Sequence, residues 1–166
     1  MTGGLAPDAR VEAVHRLLDA AGATVAVAES LTGGLLGATL TAVPGASRTF
    51  RGGVIAYATD LKERLLDVPG PLLDAEGPVS AHVAAAMAAG VRNGLQATYG
   101  VALTGVAGPD AQAGKVPGTV FVAVAGPGDG RVTELTLSGD RQQIRMAAVG
   151  AAVELLRDLL DSTPPA

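Results

Sequence analysis

The stretch VAVAESLTGGLLG, Val25 to Gly37, decides the reading of this chain. An apolar run from Thr24 to Ala28 has the length and composition of a short buried strand. It stops at Glu29-Ser30, and Gly33-Gly34 follow at once. Leu35, Leu36, Ala38 and Leu40 then restart the apolar pattern at helical spacing, which predicts a helix over about Thr32 to Ala42. A strand that turns sharply into a helix leaves side chains and free N–H groups at one sheet edge. A serine there, between a carboxylate and two glycines, is placed for chemistry. Glycine lets a ligand approach the backbone, and helix N-termini favour anions. Helix capping by Ser30 or Thr32, with the glycines making only the turn, is the other reading of the same residues.

Composition sets the frame for that turn. The 166 residues fit one domain, 1–166, with an ordered core over about 8–160, large enough to bury roughly two-thirds of the unfolded surface. Apolar content of 48% against 17% charged is globular. With 2% aromatic residues and no Trp, the core must be built from Ala, Val and Leu. So few aromatics argue against base-stacking platforms, and a net charge of −4 argues against a nucleic-acid partner. The absence of Cys excludes thiol nucleophiles, Fe–S clusters, zinc knuckles and disulfides. Val11 to Ala21 carries Glu12, Arg16 and Asp19, unlike a secretory apolar segment. No uncharged apolar run is long enough to span a bilayer. The expectation is a cytoplasmic protein with no membrane partner.

Before the turn, Met1 to Pro7 reads as a loose tail. Asp8 caps a helix to about Ala21 with Val11, Val14, Leu17, Leu18 and Ala21 on one face, Gly22 as its stop, and His15 solvated. After it, Val43-Pro44-Gly45 ends the second helix and Ser47 to Arg51 connects to a strand over Gly52 to Ala58. A helix restarts at Thr59 or Asp60, and Pro69-Gly70-Pro71 marks a loop. Ser80 caps an Ala-rich helix over about Ala81 to Leu95. Tyr99 to Leu103 is a third strand, and Val106 to Pro117 a loop bearing Asp110 and Lys115. Gly118 to Ala125 and Arg131 to Leu137 are strands joined by a tight turn, hence antiparallel. Gly139-Asp140 opens the last helix, with Ile144, Ala147, Ala148, Ala151, Leu155 and Leu159 as its buried stripe, and Pro164-Pro165 closes the chain.

That order predicts an α/β fold, a three-layer α/β/α sandwich whose first three strands are parallel. Ligands in such sheets bind beyond the carboxyl ends of the strands. Strand one delivers Glu29-Ser30 there. Strand two delivers Tyr57, with Lys62 a turn into the next helix. Strand three delivers Thr104, Gly105 and the loop through Gly108. If strand four is reversed, strand five points the same way and delivers Gly139, Asp140, Arg141 and, one turn on, Arg145. The short polar stretches converge on one edge, which favours an active site over simple capping.

A serine nucleophile there needs a base. His82 falls in the first turn of the Ser80 helix and is expected to be exposed, which leaves Lys62. A lysine acts as base only when neutral, a state that desolvation promotes, and Ser–Lys pairs are an accepted variant of the triad logic. Amides around Leu31 to Gly34 and Thr104 to Gly105 are candidates to hold an oxyanion. Arg141 and Arg145, spaced i,i+4, can face one phosphate. No GxxxxGK[ST], HExxH or GxSxG motif occurs, and the acidic residues show no metal-ligand clustering.

The blocks AESLTGGLLGATLTAVPGASRTFRGGVIAYATDLK, GPVSAHVAAAMAAGVR, GVALTGVAGPD, GTVFVAV and GDRQQIR occur in order. Together they resemble the C-terminal domain of the competence-damage-inducible protein A family from about Asp8 to Leu160. Stand-alone members of that family are nicotinamide-nucleotide amidases. The resemblance implies hydrolysis of nicotinamide mononucleotide to nicotinate mononucleotide and ammonia, in pyridine nucleotide recycling. It implies a five-stranded sheet of order 2-1-3-4-5 with strand four antiparallel, no cofactor, no metal, and a homo-oligomer, a dimer by preference. By matched motif, Ser30 is the nucleophile, Lys62 its base and Tyr57 the support of the pair. Glu29, Thr32, Gly33, Gly34, Thr104, Gly105, Gly108, Arg141 and Arg145 surround the substrate, with Thr104, Gly105 and the two arginines on its phosphoribosyl part.

The chain departs from the family pattern in three places. Leu31 replaces a frequent Cys, Ala58-Thr59 stands where Ser-Asn is common, and the loop after Gly108 is short. Two rivals carry other expectations: a catalytically silent pyridine-nucleotide-binding module, and a hydrolase of another small phosphorylated amide.

Overall fold

The computed structural model describes residues 8–162; the expected tail at Met1 to Pro7 and the Pro164-Pro165 close lie outside the described residues. Side-chain size alternates along the central strands and decides which helices pack where. In β1 (Val25–Glu29), β3 (Tyr99–Gly105) and β4 (Thr119–Ala125), Val25, Val27, Val101, Leu103, Val120, Val122 and Val124 point to one face. Ala26, Ala28, Ala102 and Ala123 point to the other. The bulky face meets α1 (Ala9–Ala20) and α6 (Arg141–Ser162), with α2 (Leu35–Thr41) packed beside them. The small-residue face lets the Ala-rich α5 (Ala81–Gly94) come close. With β2 (Phe50–Ile55) and β5 (Arg131–Thr136) at the edges, the sheet order is β2-β1-β3-β4-β5. β1 runs parallel to β2 and β3, and β4 antiparallel to β3 and β5, as the sequence leads one to expect.

Two glycines set the distance of the second helical layer. A Cβ on Gly100 would lie 2.1 Å from the Ala88 carbonyl oxygen of α5, and one on Gly90 would lie 1.8 Å from the Leu66 carbonyl oxygen. Leu66 ends α3 (Thr59–Leu66), so Gly90 seats on α5 the helix that carries Lys62. Gly90→Ala is expected to lower the unfolding free energy by about 3 kcal/mol, read as a drop in denaturant midpoint. An unchanged midpoint would mean that α3 lifts off α5 at no cost.

Several expectations need correction. The second helix starts at Leu35 rather than near Thr32, because Gly33 and Gly34 take φ of +55° and +103°, left-handed values that interrupt a helix. The second strand ends at Ile55 rather than Ala58. The expected Pro69-Gly70-Pro71 loop opens a helix, α4 (Gly70–Glu76): proline in a first turn forfeits no hydrogen bond, and Leu73 is buried. His15 is not solvated. It is half-buried, with Nε2 donating to the Leu40 carbonyl at 2.7 Å and Nδ1 2.5 Å from the Thr49 hydroxyl, tying α1 to α2. On α1, Ala21 lies past the helix end and is exposed. On α6 the buried arc is rotated toward α1 and takes in Val149, Ala152, Val153, Leu156 and Leu160, leaving Ala147 exposed. Among the described residues, no helix is long and apolar enough to cross a membrane.

Candidate active site

The strand alternation that sorts valine from alanine also separates Glu29 from Ser30. Glu29 follows Val25 and Val27 onto the bulky face. There its buried carboxylate accepts from the amides of Gly34 (3.1 Å), Leu36 (3.0 Å) and Gly37 (2.8 Å), the N-terminal donors of α2. A carboxylate at a helix N-terminus is favoured by both the free N–H groups and the helix dipole. Glu29 therefore clamps the turn and, with Gly34, is turned away from the cleft in which the sequence reading placed both. Ser30 faces the opposite way, toward α3. Its own amide donates to the Leu103 carbonyl at 3.2 Å, which prolongs the β1–β3 pairing by one residue.

Lys62, four residues into α3, reaches under the sheet edge. Its side chain is only 1% exposed. Nζ lies 3.1 Å from Ser30 Oγ and donates to the Ala56 carbonyl at 2.8 Å. Burial alone pushes the Lys62 pKa down from 10.5 to about 8, because a charged ammonium loses hydration there without a carboxylate to replace it. No acidic side chain pairs with it among the described residues. With one N–H engaged by the Ala56 carbonyl, this position lets a neutral amine accept from the Ser30 hydroxyl and a charged one donate to it.

The pair opens onto a cleft of about 230 Å³ between the carboxyl ends of β1 and β3, the start of α3 and the Val106–Pro117 loop. Tyr57, Thr104, Gly105, Gly108 and Arg141 line it together with Ser30 and Lys62, and the segment Pro78-Val79 forms one wall. Thr104 donates from Oγ1 to the Pro78 carbonyl at 2.6 Å, holding that wall to β3. Tyr57 is placed differently from the expected support of the pair. It is exposed, and its hydroxyl accepts from Arg141 Nη2 at 3.0 Å rather than bonding Ser30 or Lys62. Arg141 also donates to the Gly108 carbonyl at 2.7 Å, so one guanidinium joins three chain segments at the cleft mouth.

Arg145 does not reach the cleft. It donates from Nε to the Leu31 carbonyl and from Nη2 to the Thr32 carbonyl, each at 3.0 Å, and braces the turn from behind. Thr32 is fully buried and Gly33 lies beside the Arg145 guanidinium, so neither lines the cleft. The bracing leaves the Leu31 and Thr32 amides without an acceptor among the described residues, directly after the Ser30 side chain. Of the two, only Leu31 lines the cleft, and with Gly33 donating to the Ser30 carbonyl and Gly34 to Glu29, the Leu31 amide is the candidate oxyanion donor of this turn. His82 pairs with Glu76 at 2.7 Å, away from Ser30. Among the described residues no group of three or more His, Cys, Asp or Glu side chains comes together as a metal-ligand set.

Comparison with known proteins places this geometry in a family. Residues 8–160 match the model of the CinA C-terminal domain. A CinA-like protein of Frankia casuarinae is 54% identical over 162 residues, covering 97% of this chain and 37% of that protein. A CinA-like protein of Gloeobacter violaceus is 48% identical, covering 93% of this chain and 37% of its own length. The chain thus spans little more than a third of these curated relatives. Solved structures align over nearly their whole length. The competence damage-inducible protein A (ComA) of Klebsiella pneumoniae superposes with a TM-score of 0.90 at 28% identity, over 94% of this chain and 98% of that one. The competence/damage inducible protein CihA of Agrobacterium tumefaciens gives 0.86 at 34% identity, over 95% and 99%. With the sheet order, the ordered motifs and the family match in agreement, the chain belongs to the CinA C-terminal domain family.

Proposed function

We propose that this protein is a serine amidohydrolase that converts nicotinamide mononucleotide to nicotinate mononucleotide and ammonia. The observation that carries the reading is a buried lysine amine, with no acidic partner among the described residues, 3.1 Å from a serine hydroxyl at the floor of an open cleft. A lysine titrating near 8 is neutral in a useful fraction of molecules at neutral pH, and a base poised close to the working pH is the efficient kind.

The cycle balances on the two side chains. Neutral Lys62 takes the Ser30 proton as Oγ attacks the carboxamide carbon. The oxyanion settles on the Leu31 amide, which lines the cleft and has no acceptor among the described residues, where a pre-set donor stabilises charge that develops only in the transition state. Lys62 returns the proton to the departing nitrogen, the C–N bond breaks, and ammonia leaves an ester on Ser30. Water, deprotonated by Lys62, attacks that ester. The acid departs and the proton goes back to Ser30. Arg141 at the mouth is the cation for the substrate's phosphate. Two of its donors are engaged by Gly108 and Tyr57, and a guanidinium has five.

The test is ammonia release and nicotinate mononucleotide formation by the purified protein, with a chelator present. Stoichiometric appearance of both products supports the reading. Binding of the mononucleotide without ammonia would leave a silent binding module, and release only from other phosphorylated amides would reassign the substrate.

A further inference from the structure

Three charged side chains line the cleft: Lys62, Asp110 and Arg141. Lys62 serves the chemistry at the floor. The other two carry opposite charges on neighbouring parts of one wall, and no ion pair joins them. Arg141 is anchored to the Gly108 carbonyl, two residues from Asp110, yet it pairs with that carbonyl and with Tyr57 instead of with the carboxylate. Asp110 has no side-chain partner among the described residues and is the one carboxylate in the lining. Its loop is closed on itself: Gln112 and Lys115 exchange amide–carbonyl bonds of 3.0 and 2.9 Å, and Gly108 packs against Pro117. Asp110 is therefore presented from a defined loop, not from a free chain end.

A cleft that keeps a guanidinium and a carboxylate apart and unpaired complements a ligand that also holds two opposite charges apart. We propose that Asp110 is a specificity residue that faces the cationic, N-substituted pyridinium ring of the substrate, while Arg141 takes its phosphate. This rests on the amidase reading and refines it. Attachment of the sugar gives the ring nitrogen a fixed positive charge that free nicotinamide lacks. Asp110 thereby selects the nucleotide form by the charge of its ring, independently of its phosphate. The contact lies at a solvent-facing rim, so its effect is moderate and falls with added salt.

The experiment uses Ser30→Ala protein, which holds ligand without turnover, with Asp110 intact or changed by Asp110→Asn. Calorimetry gives the Kd of nicotinamide mononucleotide and of its reduced dihydro form, which has the same phosphate and a neutral ring. The expected result is about fivefold weaker binding of the cationic form in the Asp110→Asn protein, with the dihydro form changed by less than about twofold. Equal weakening of both forms, or of neither, would overturn the assignment of Asp110 and leave the amidase reading standing. Failure of the Ser30→Ala protein to bind the mononucleotide at all would overturn both.

Discussion

Ser30→Ala is expected to cut ammonia release from nicotinamide mononucleotide by at least about 10⁴-fold, the scale of losing a nucleophile, while the Kd for the mononucleotide stays within about threefold. The split follows from the geometry. Ser30 Oγ touches Lys62 and the cleft floor, whereas Arg141, Thr104 and the Val106–Pro117 loop line the cleft around it and do not depend on the hydroxyl. The serine's place at the end of β1 is held by its backbone bond to Leu103 and by the Glu29 clamp, so alanine keeps the turn intact. A variant that retained wild-type turnover would remove Ser30 from the chemistry and with it the covalent route.

Lys62→Met and Lys62→Arg should both lower kcat by about 10³-fold or more, for different reasons. Methionine fills the buried channel without a basic nitrogen. Arginine keeps a positive charge but does not give up its proton at any accessible pH. If Lys62 worked only as a fixed cation, the arginine variant would retain most activity; if it works as a base, neither does. Stability gives a control in the opposite direction. A lysine whose folded pKa is lowered from 10.5 to about 8 is more costly to charge in the folded chain than in the unfolded one. That cost, roughly 3 kcal/mol for the shift at 1.36 kcal/mol per unit, is fully present below pH 8 and fades as pH rises toward the unfolded value. Lys62→Met should therefore melt no lower than wild type at pH 7, so its inactivity would not be a folding defect. A much lower melting temperature would mean that the bond from Nζ to the Ala56 carbonyl outweighs that cost.

The sheet was legible because its central strands are short apolar runs rich in valine and alanine, bounded by glycine and polar turns. The tight Gly126–Gly130 connection set β5 antiparallel to β4, while the reversal of β4 beside β3 was what the family resemblance implied. The convergence of Ser30, Tyr57, Lys62, Thr104, Gly105, Gly108 and Arg141 on one edge followed from that order, and all seven line one cleft. What stayed hidden was the direction in which each neighbouring side chain points. Alternation carried one residue further would have put Glu29 with Val25 and Val27, opposite Ser30, and foretold its part as a clamp on α2. Arg145 shares the i,i+4 face of Arg141, so spacing made both look like phosphate ligands. Only the packing of α6 against the turn shows that the first reaches the cleft mouth and the second takes the Leu31 and Thr32 carbonyls. Helix α4 was hidden for a local reason, since two prolines flanking a glycine have the composition of a loop and Leu73 finds its cover only when α5 is in place.

The proposed mechanism rests on Lys62, whose pKa burial lowers to about 8, activating Ser30 beside it through its neutral form. The most direct measurement is the dependence of kcat/KM for nicotinamide mononucleotide on pH from 6 to 10. With the neutral amine as the proposed active form, kcat/KM is expected to rise tenfold per pH unit and to level off near the Lys62 value of about 8. A profile flat across that range, or one still rising toward the 10.5 of an ordinary lysine, would contradict it.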